Sequence, residues 1–133
     1  MAGLIGEGVS LRGFYDEQWA WTWNISGVVN KATDMHKLMA QDATAKNTAK
    51  LAGADAAPLG VLGSYEDRSV EGVKVGTVYQ KGSFQIPTTG TIAIGDSVVG
   101  SATAGVAKAA AAPNRTLVVE VDATNNTAVV IFY

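Results

Sequence analysis

Val73-Lys74-Val75-Gly76-Thr77-Val78-Tyr79 places Val73, Val75, Thr77 and Tyr79 at alternate positions, with Lys74, Gly76 and Val78 between them. A period of two is the signature of an extended strand, because successive side chains point to opposite faces. The segment therefore predicts a half-buried strand, with room for a bulge at Gly76. Upstream, after Pro58, the residues Leu59, Val61, Gly63 and Tyr65 repeat the alternation, and Glu66-Asp67-Arg68 reads as the charged corner between the two strands. Downstream, Lys81-Gly82 turns the chain into a strand over Ser83–Ile86. Pro87 closes it, since proline has no N–H to give to a ladder.

The pattern extends in both directions. Short strands are predicted at residues 35–40, at Thr91–Ile94 and at Ser97–Val99, with a turn at Gly95-Asp96 and a hairpin loop over 100–105. The clearest hairpin comes last, with Arg115–Val121 and Thr127–Tyr133 flanking a turn-rich loop over 122–126. Val129 to Phe132 is apolar on both faces, as in a central strand or one packed against a partner. Two alanine-rich segments compete with this pattern. Asp42 to Ala52 has helix-compatible ends but Leu51 as its only large apolar residue, so a polar turn at Lys46-Asn47 leading into a strand at Thr48–Leu51 is the better reading. Val106–Ala112 favours helix by propensity but is too short to be stable alone.

Many short strands, frequent glycine turns and no convincing long helix predict an all-β fold, a small barrel or sandwich of short antiparallel strands. Residues 18–133 form its single domain. Residues 1–17, with glycines at 3, 6, 8 and 13 among a few large apolar residues, read as an extended N-terminal arm. Such folds expose sheet edges, which oligomerisation is one way of covering.

Composition narrows the function. The 133 residues are 47% apolar and 17% charged, with a net charge of −2 and no cysteine. A disulfide framework and thiolate metal sites are excluded, and the absence of cysteine fits assembly in a reducing compartment. Charge is mixed along the chain and no segment concentrates basic residues, which argues against nucleic-acid binding. No signal peptide and no membrane span is expected. Asn114-Arg115-Thr116 and Asn125-Asn126-Thr127 match the glycosylation pattern but, without a secretory signal, read as turn residues.

Residues 18–24, Gln-Trp-Ala-Trp-Thr-Trp-Asn, hold all three tryptophans of the chain. On a strand Trp19, Trp21 and Trp23 would share one face and present roughly 450–750 Å² of aromatic surface. A core, a neighbouring subunit or a stacking ligand must cover it. Core and subunit interface stand level, with stacking on a soluble ligand behind.

Catalytic chemistry is sparse. His36 is the only histidine, no Gly-x-Ser-x-Gly context accompanies it, and a surface or strand histidine is the favoured reading over a small hydrolase. Asp16-Glu17 and Glu66-Asp67 are adjacent acids that a strand points to opposite faces, so neither makes an acid/base pair. Gly6-Glu7-Gly8 lacks the spacing of a dinucleotide loop. No catalytic residue, metal site or cofactor is expected.

Residues 47 to 121 carry a resemblance. Asn47-Thr-Ala-Lys-Leu-Ala-Gly-Ala-Asp-Ala-Ala-Pro-Leu-Gly-Val-Leu62, Glu71-Gly-Val-Lys-Val-Gly-Thr-Val78, Ile94-Gly-Asp-Ser-Val-Val-Gly100 and Asn114-Arg-Thr-Leu-Val-Val-Glu-Val121 together resemble the small capsid decoration, or cement, proteins of tailed bacteriophages. The resemblance covers a little over half the chain and rests on turns and strands. It implies a β-rich domain on the outside of an HK97-like shell, commonly trimeric, with an N-terminal arm contacting the capsid or a neighbour. The expected partner is then the major capsid protein, the expected location the virion after assembly in the bacterial cytoplasm, and the expected interface Trp19, Trp21 and Trp23 helped by Phe14 and Tyr15. A carbohydrate-binding or host-surface adhesion module using the tryptophan row is the alternative.

Overall fold

The computed structural model describes residues 13–15 and 17–133. Among them the chain forms strands β1 (Gly13–Tyr15), β2 (Ala20–Ile25), β3 (Leu38–Gln41), β4 (Thr48–Leu51), β5 (Gly60–Arg68), β6 (Val73–Tyr79), β7 (Gly82–Pro87), β8 (Val98–Gly100), β9 (Ala107–Ala109), β10 (Thr116–Asp122) and β11 (Thr127–Phe132), with single 3-10 turns at Glu17–Trp19 and Ser69–Glu71. The all-β reading holds, as a closed barrel with additional small sheets. Five strands close a barrel in the order β2-β4-β3-β5-β6, and a four-stranded sheet in the order β1-β7-β11-β10 lies beside it with the small β8-β9 hairpin. Pairing is antiparallel except between β2 and β4, which run parallel through Asn24–Thr48 and Ile25–Ala49.

Two apolar cores follow from strand alternation. Leu38, Met39 and Ala40 are all buried, yet Met39 faces the barrel interior with Ile25, Ala49, Leu62, Tyr65 and Val78, while Leu38 and Ala40 face outward. That outward face packs with Val61 against Phe84, Ile86, Val118, Val130 and Phe132 of the sheet. β3 is thus covered on both sides, which is why it reads as a continuous apolar run. Each fully buried large side chain contributes about 1.5–3 kcal/mol. Tyr79, Phe84 and Phe132 stitch the two bodies together: the first pair stacks at 5.6 Å and the second meets edge-on at 6.1 Å. β11 lies between β7 and β10, the central position its two-faced apolar pattern implies.

Some expectations are corrected. The irregularity in the β5–β6 ladder falls between Leu62 and Ser64, whereas Gly76 pairs regularly with Tyr65 on one side and Trp23 on the other. Gly76 is needed for closeness instead, since a Cβ there would stand 2.6 Å from the Ser64 carbonyl oxygen. Glu66-Asp67-Arg68 is not a corner. These residues pair with Val75, Lys74 and Val73, and the chain turns afterwards, at Ser69–Gly72. Thr91–Ile94 forms no strand: Ala93 N–H donates to the Asp96 carboxylate within a turn, and Gly95 N–H donates to the Val118 carbonyl of β10. Residues 107–109 of the alanine tract pair with β8, and Ala107 is fully buried where a larger side chain would not pack. The strand predicted at 35–40 begins at Leu38, because His36 takes a left-handed turn (φ 64°) just before it.

Of the arm expected over 1–17, residues 1–12 and 16 lie outside the described residues. Gly13–Tyr15 pairs antiparallel with β7 as the edge strand of the four-stranded sheet.

Candidate interaction site around the tryptophans

The tryptophans do not form one flat row. Trp19 ends a 3-10 turn and only Trp21 and Trp23 lie on β2. The local cause is visible in the bonding: the Trp21 indole N–H donates to the Gln18 carbonyl at 2.6 Å, and this bond accompanies a turned segment before the strand. Along β2 the shared face passes from inside to outside. Ile25 is buried in the barrel core, Trp23 is half-buried against it opposite Gly76, and Trp21 is 50% exposed. Trp23 also donates its indole N–H to Gln80 Oε1 at 3.3 Å. Trp23 therefore belongs to the barrel, as the core reading of the row requires, and Trp21 does not.

Trp19 and Trp21 stack on each other, with ring centroids 5.4 Å apart and planes inclined by 12°. The Lys81 ammonium stands over the Trp19 ring, 4.1 Å from its centroid. Cation–π contacts of this kind contribute about 0.5–1 kcal/mol at exposed sites. For Phe14 and Tyr15 the structure describes the backbone, which pairs with Ser83 and Gly82.

Beside the stack lies a cleft of about 380 Å³ at the junction of barrel and sheet. Trp19, Pro58, Leu59, Phe132 and Tyr133 supply its apolar surface, and Lys81 and Arg115 its charge. Sequence reading found the tryptophans but not this cleft, because its lining comes from segments far apart in the chain. Leu59 reads in the sequence as the start of a strand and Lys81-Gly82 as a turn, and neither reading points to a cleft.

One wall of the cleft is fixed by a buried polar knot. Thr116, 2% exposed, accepts from Val98 N–H through its hydroxyl oxygen at 2.9 Å and donates that hydroxyl to Asn114 Oδ1. Asn114 Nδ2 donates to the Val98 carbonyl at 2.8 Å. Asn114 thus serves as the turn residue the sequence suggests. Asn125, in the β10–β11 loop, donates to the Asp122 carboxylate in the same structural role.

His36 is exposed in its left-handed turn, and its imidazole makes no hydrogen bond among the described residues. Among those residues no group of three or more His, Asp or Glu side chains is placed to hold a metal, and no helix is long and apolar enough to cross a membrane. Comparison with protein families, curated proteins and solved structures finds no match for this chain.

Proposed function

We propose that the chain is a structural virion protein that binds the outer surface of a phage capsid and stabilises the shell by bridging capsid subunits, without catalysis and without a cofactor. Its partner is the major capsid protein, and it acts as a homo-oligomer, with a trimer favoured. The observation that carries the reading is the stacked Trp19–Trp21 pair, with Trp21 half exposed at the end of the barrel where β2 begins. Indoles placed this way are characteristic anchors of protein interfaces. The capsid as partner comes from the resemblance of residues 47–121 to decoration proteins. A bridging protein makes shell opening require the loss of its own contacts, and many copies multiply a modest contribution per contact.

The test is co-sedimentation of the purified protein with expanded empty capsids of the phage that encodes it. Binding in fixed proportion to the major shell protein, lost in a Trp19→Ala/Trp21→Ala double variant that keeps its β circular dichroism, supports the reading. Absence of binding by the wild-type protein refutes it. The adhesion alternative is served less well by this geometry, since a stacked pair offers sugars one indole face where a flat row would offer several. Glycan-dependent tryptophan fluorescence in the absence of capsid binding would favour that alternative.

A further inference from the structure

The cleft beside the tryptophan stack has an uneven polar inventory. Its side-chain amide oxygens are taken: Gln80 Oε1 receives the Trp23 indole N–H, and Asn114 Oδ1 receives both the backbone N–H and the hydroxyl of Thr116. Its donors are not. Among the described residues neither Lys81 nor Arg115 forms an ion pair or a side-chain hydrogen bond, Lys81 resting on the Trp19 ring, and the Trp19 indole N–H has no acceptor. Among the described residues no Asp or Glu side chain lines the cleft. A proline–leucine floor and the Phe132 and Tyr133 rings complete it with apolar surface.

A concave site with spare cationic and N–H donors, engaged amide oxygens and apolar walls selects a ligand that brings carboxylates and an apolar side chain. We propose that this cleft binds an acidic, extended peptide segment of the partner protein, with an apolar side chain seated against Pro58 and Trp19 and carboxylates facing Lys81 and Arg115. Charge-assisted hydrogen bonds to a carboxylate are about twice as strong as neutral ones, and Arg offers them in bidentate form. The inference rests on reading the chain as a protein-binding module and adds the chemistry of what it grips.

The experiment follows the three indole N–H signals in ¹H–¹⁵N spectra of the full chain. The probe is a six-residue capped peptide carrying two glutamates around a leucine and a phenylalanine, compared with its glutamine twin. The Trp19 signal should shift saturably with the acidic peptide, and binding should weaken by about tenfold with the twin or in a Lys81→Ala/Arg115→Ala variant. Affinity should also fall between 0.1 M and 1 M salt, as the screening length drops from about 10 Å to about 3 Å. An unshifted Trp23 signal and an unchanged melting temperature certify that the variant is folded. No Trp19 shift, an equal response to both peptides, or a response to N-acetylneuraminic acid but to neither peptide overturns the inference. Dissociation of an oligomer by Lys81→Glu/Arg115→Glu also overturns it, because a second copy would then fill the cleft. If capsids bind and the peptide does not, only this inference falls, whereas peptide binding without capsid binding refutes the capsid and leaves the cleft standing.

Discussion

The ring of Tyr79 lies directly over Gly63, so that a Cβ at residue 63 would overlap it. Tyr79 is the aromatic that stacks on Phe84 and joins barrel to sheet, so it is held from its far side and cannot simply swing away. Gly63→Ala is expected to destabilise the fold by about 1–3 kcal/mol, the usual range for overpacking. Gly76→Ala should do the same against the Ser64 carbonyl, which is backbone and yields less. Urea unfolding followed by circular dichroism measures both, and wild-type stability in either variant would contradict the packing described.

The tryptophans should separate by energy. Trp23→Ala removes an indole packed on the barrel core and leaves Gln80 Oε1 without its donor, which should cost about 2 kcal/mol or more. Trp21→Ala removes a half-exposed ring and should cost under about 1 kcal/mol. Equal losses in urea unfolding would mean that the two share an environment.

Thr116→Val keeps shape but deletes the hydroxyl that accepts from the buried Val98 N–H. An unsatisfied buried donor costs about 1–3 kcal/mol, and native-state hydrogen exchange should show the Val98 amide exchanging faster in the variant. Unchanged protection of that amide would rule out the bond as a tie between β8 and β10.

Acid should unfold the protein through identifiable carboxylates. Hydrogen bonds from the Ser26 hydroxyl and from the Thr44 hydroxyl and N–H hold the Asp42 carboxyl at about 2, below its ordinary value near 3.8. Asp67 is lowered by Ser69. Asp34 is lowered as well: its burial pushes upward, but the Asn30 N–H and Lys37 outweigh it. Each group is more acidic folded than unfolded, so its contribution is present above the ordinary carboxylate value near 3.8 and is lost as pH falls below it, for Asp42 on passing about 2. Melting temperature should therefore drop across that window. The drop should be shallower in Asp42→Asn, which lacks the contribution at every pH, and an identical acid limb in the variant would exclude Asp42 as a source.

Strand Val73–Tyr79 and strand Thr48–Leu51 are legible in the sequence because alternation and a turn at Asn47, left-handed at φ 51°, are local signals. The parallel pairing of β2 with β4 is not legible, since nothing near Asn24 specifies Thr48 as its neighbour. Gly76 reads in the sequence as a bulge, and only Ser64 on the next strand shows that closeness is what requires it. At the site, the three indoles are obvious in the sequence, but Trp19 leaves the strand in a 3-10 turn, where the Trp21 indole N–H bonds to the Gln18 carbonyl in competition with the extended period. The cleft depends on Pro58, Lys81, Arg115 and Tyr133 meeting, a purely long-range event.

β1 and β2 stand one short turn apart in sequence, yet one completes the open sheet and the other closes the barrel. Their main partners, β7 and β6, lie beyond the middle of the chain, and until β6 exists β2 has only a brief parallel pairing to β4. The ladders of β1 and β2 therefore wait for strands from the second half of the chain, while the β10–β11 hairpin closes locally. Such non-local pairing slows folding for the chain's size and leaves the tryptophan segment uncovered until β6 has been made.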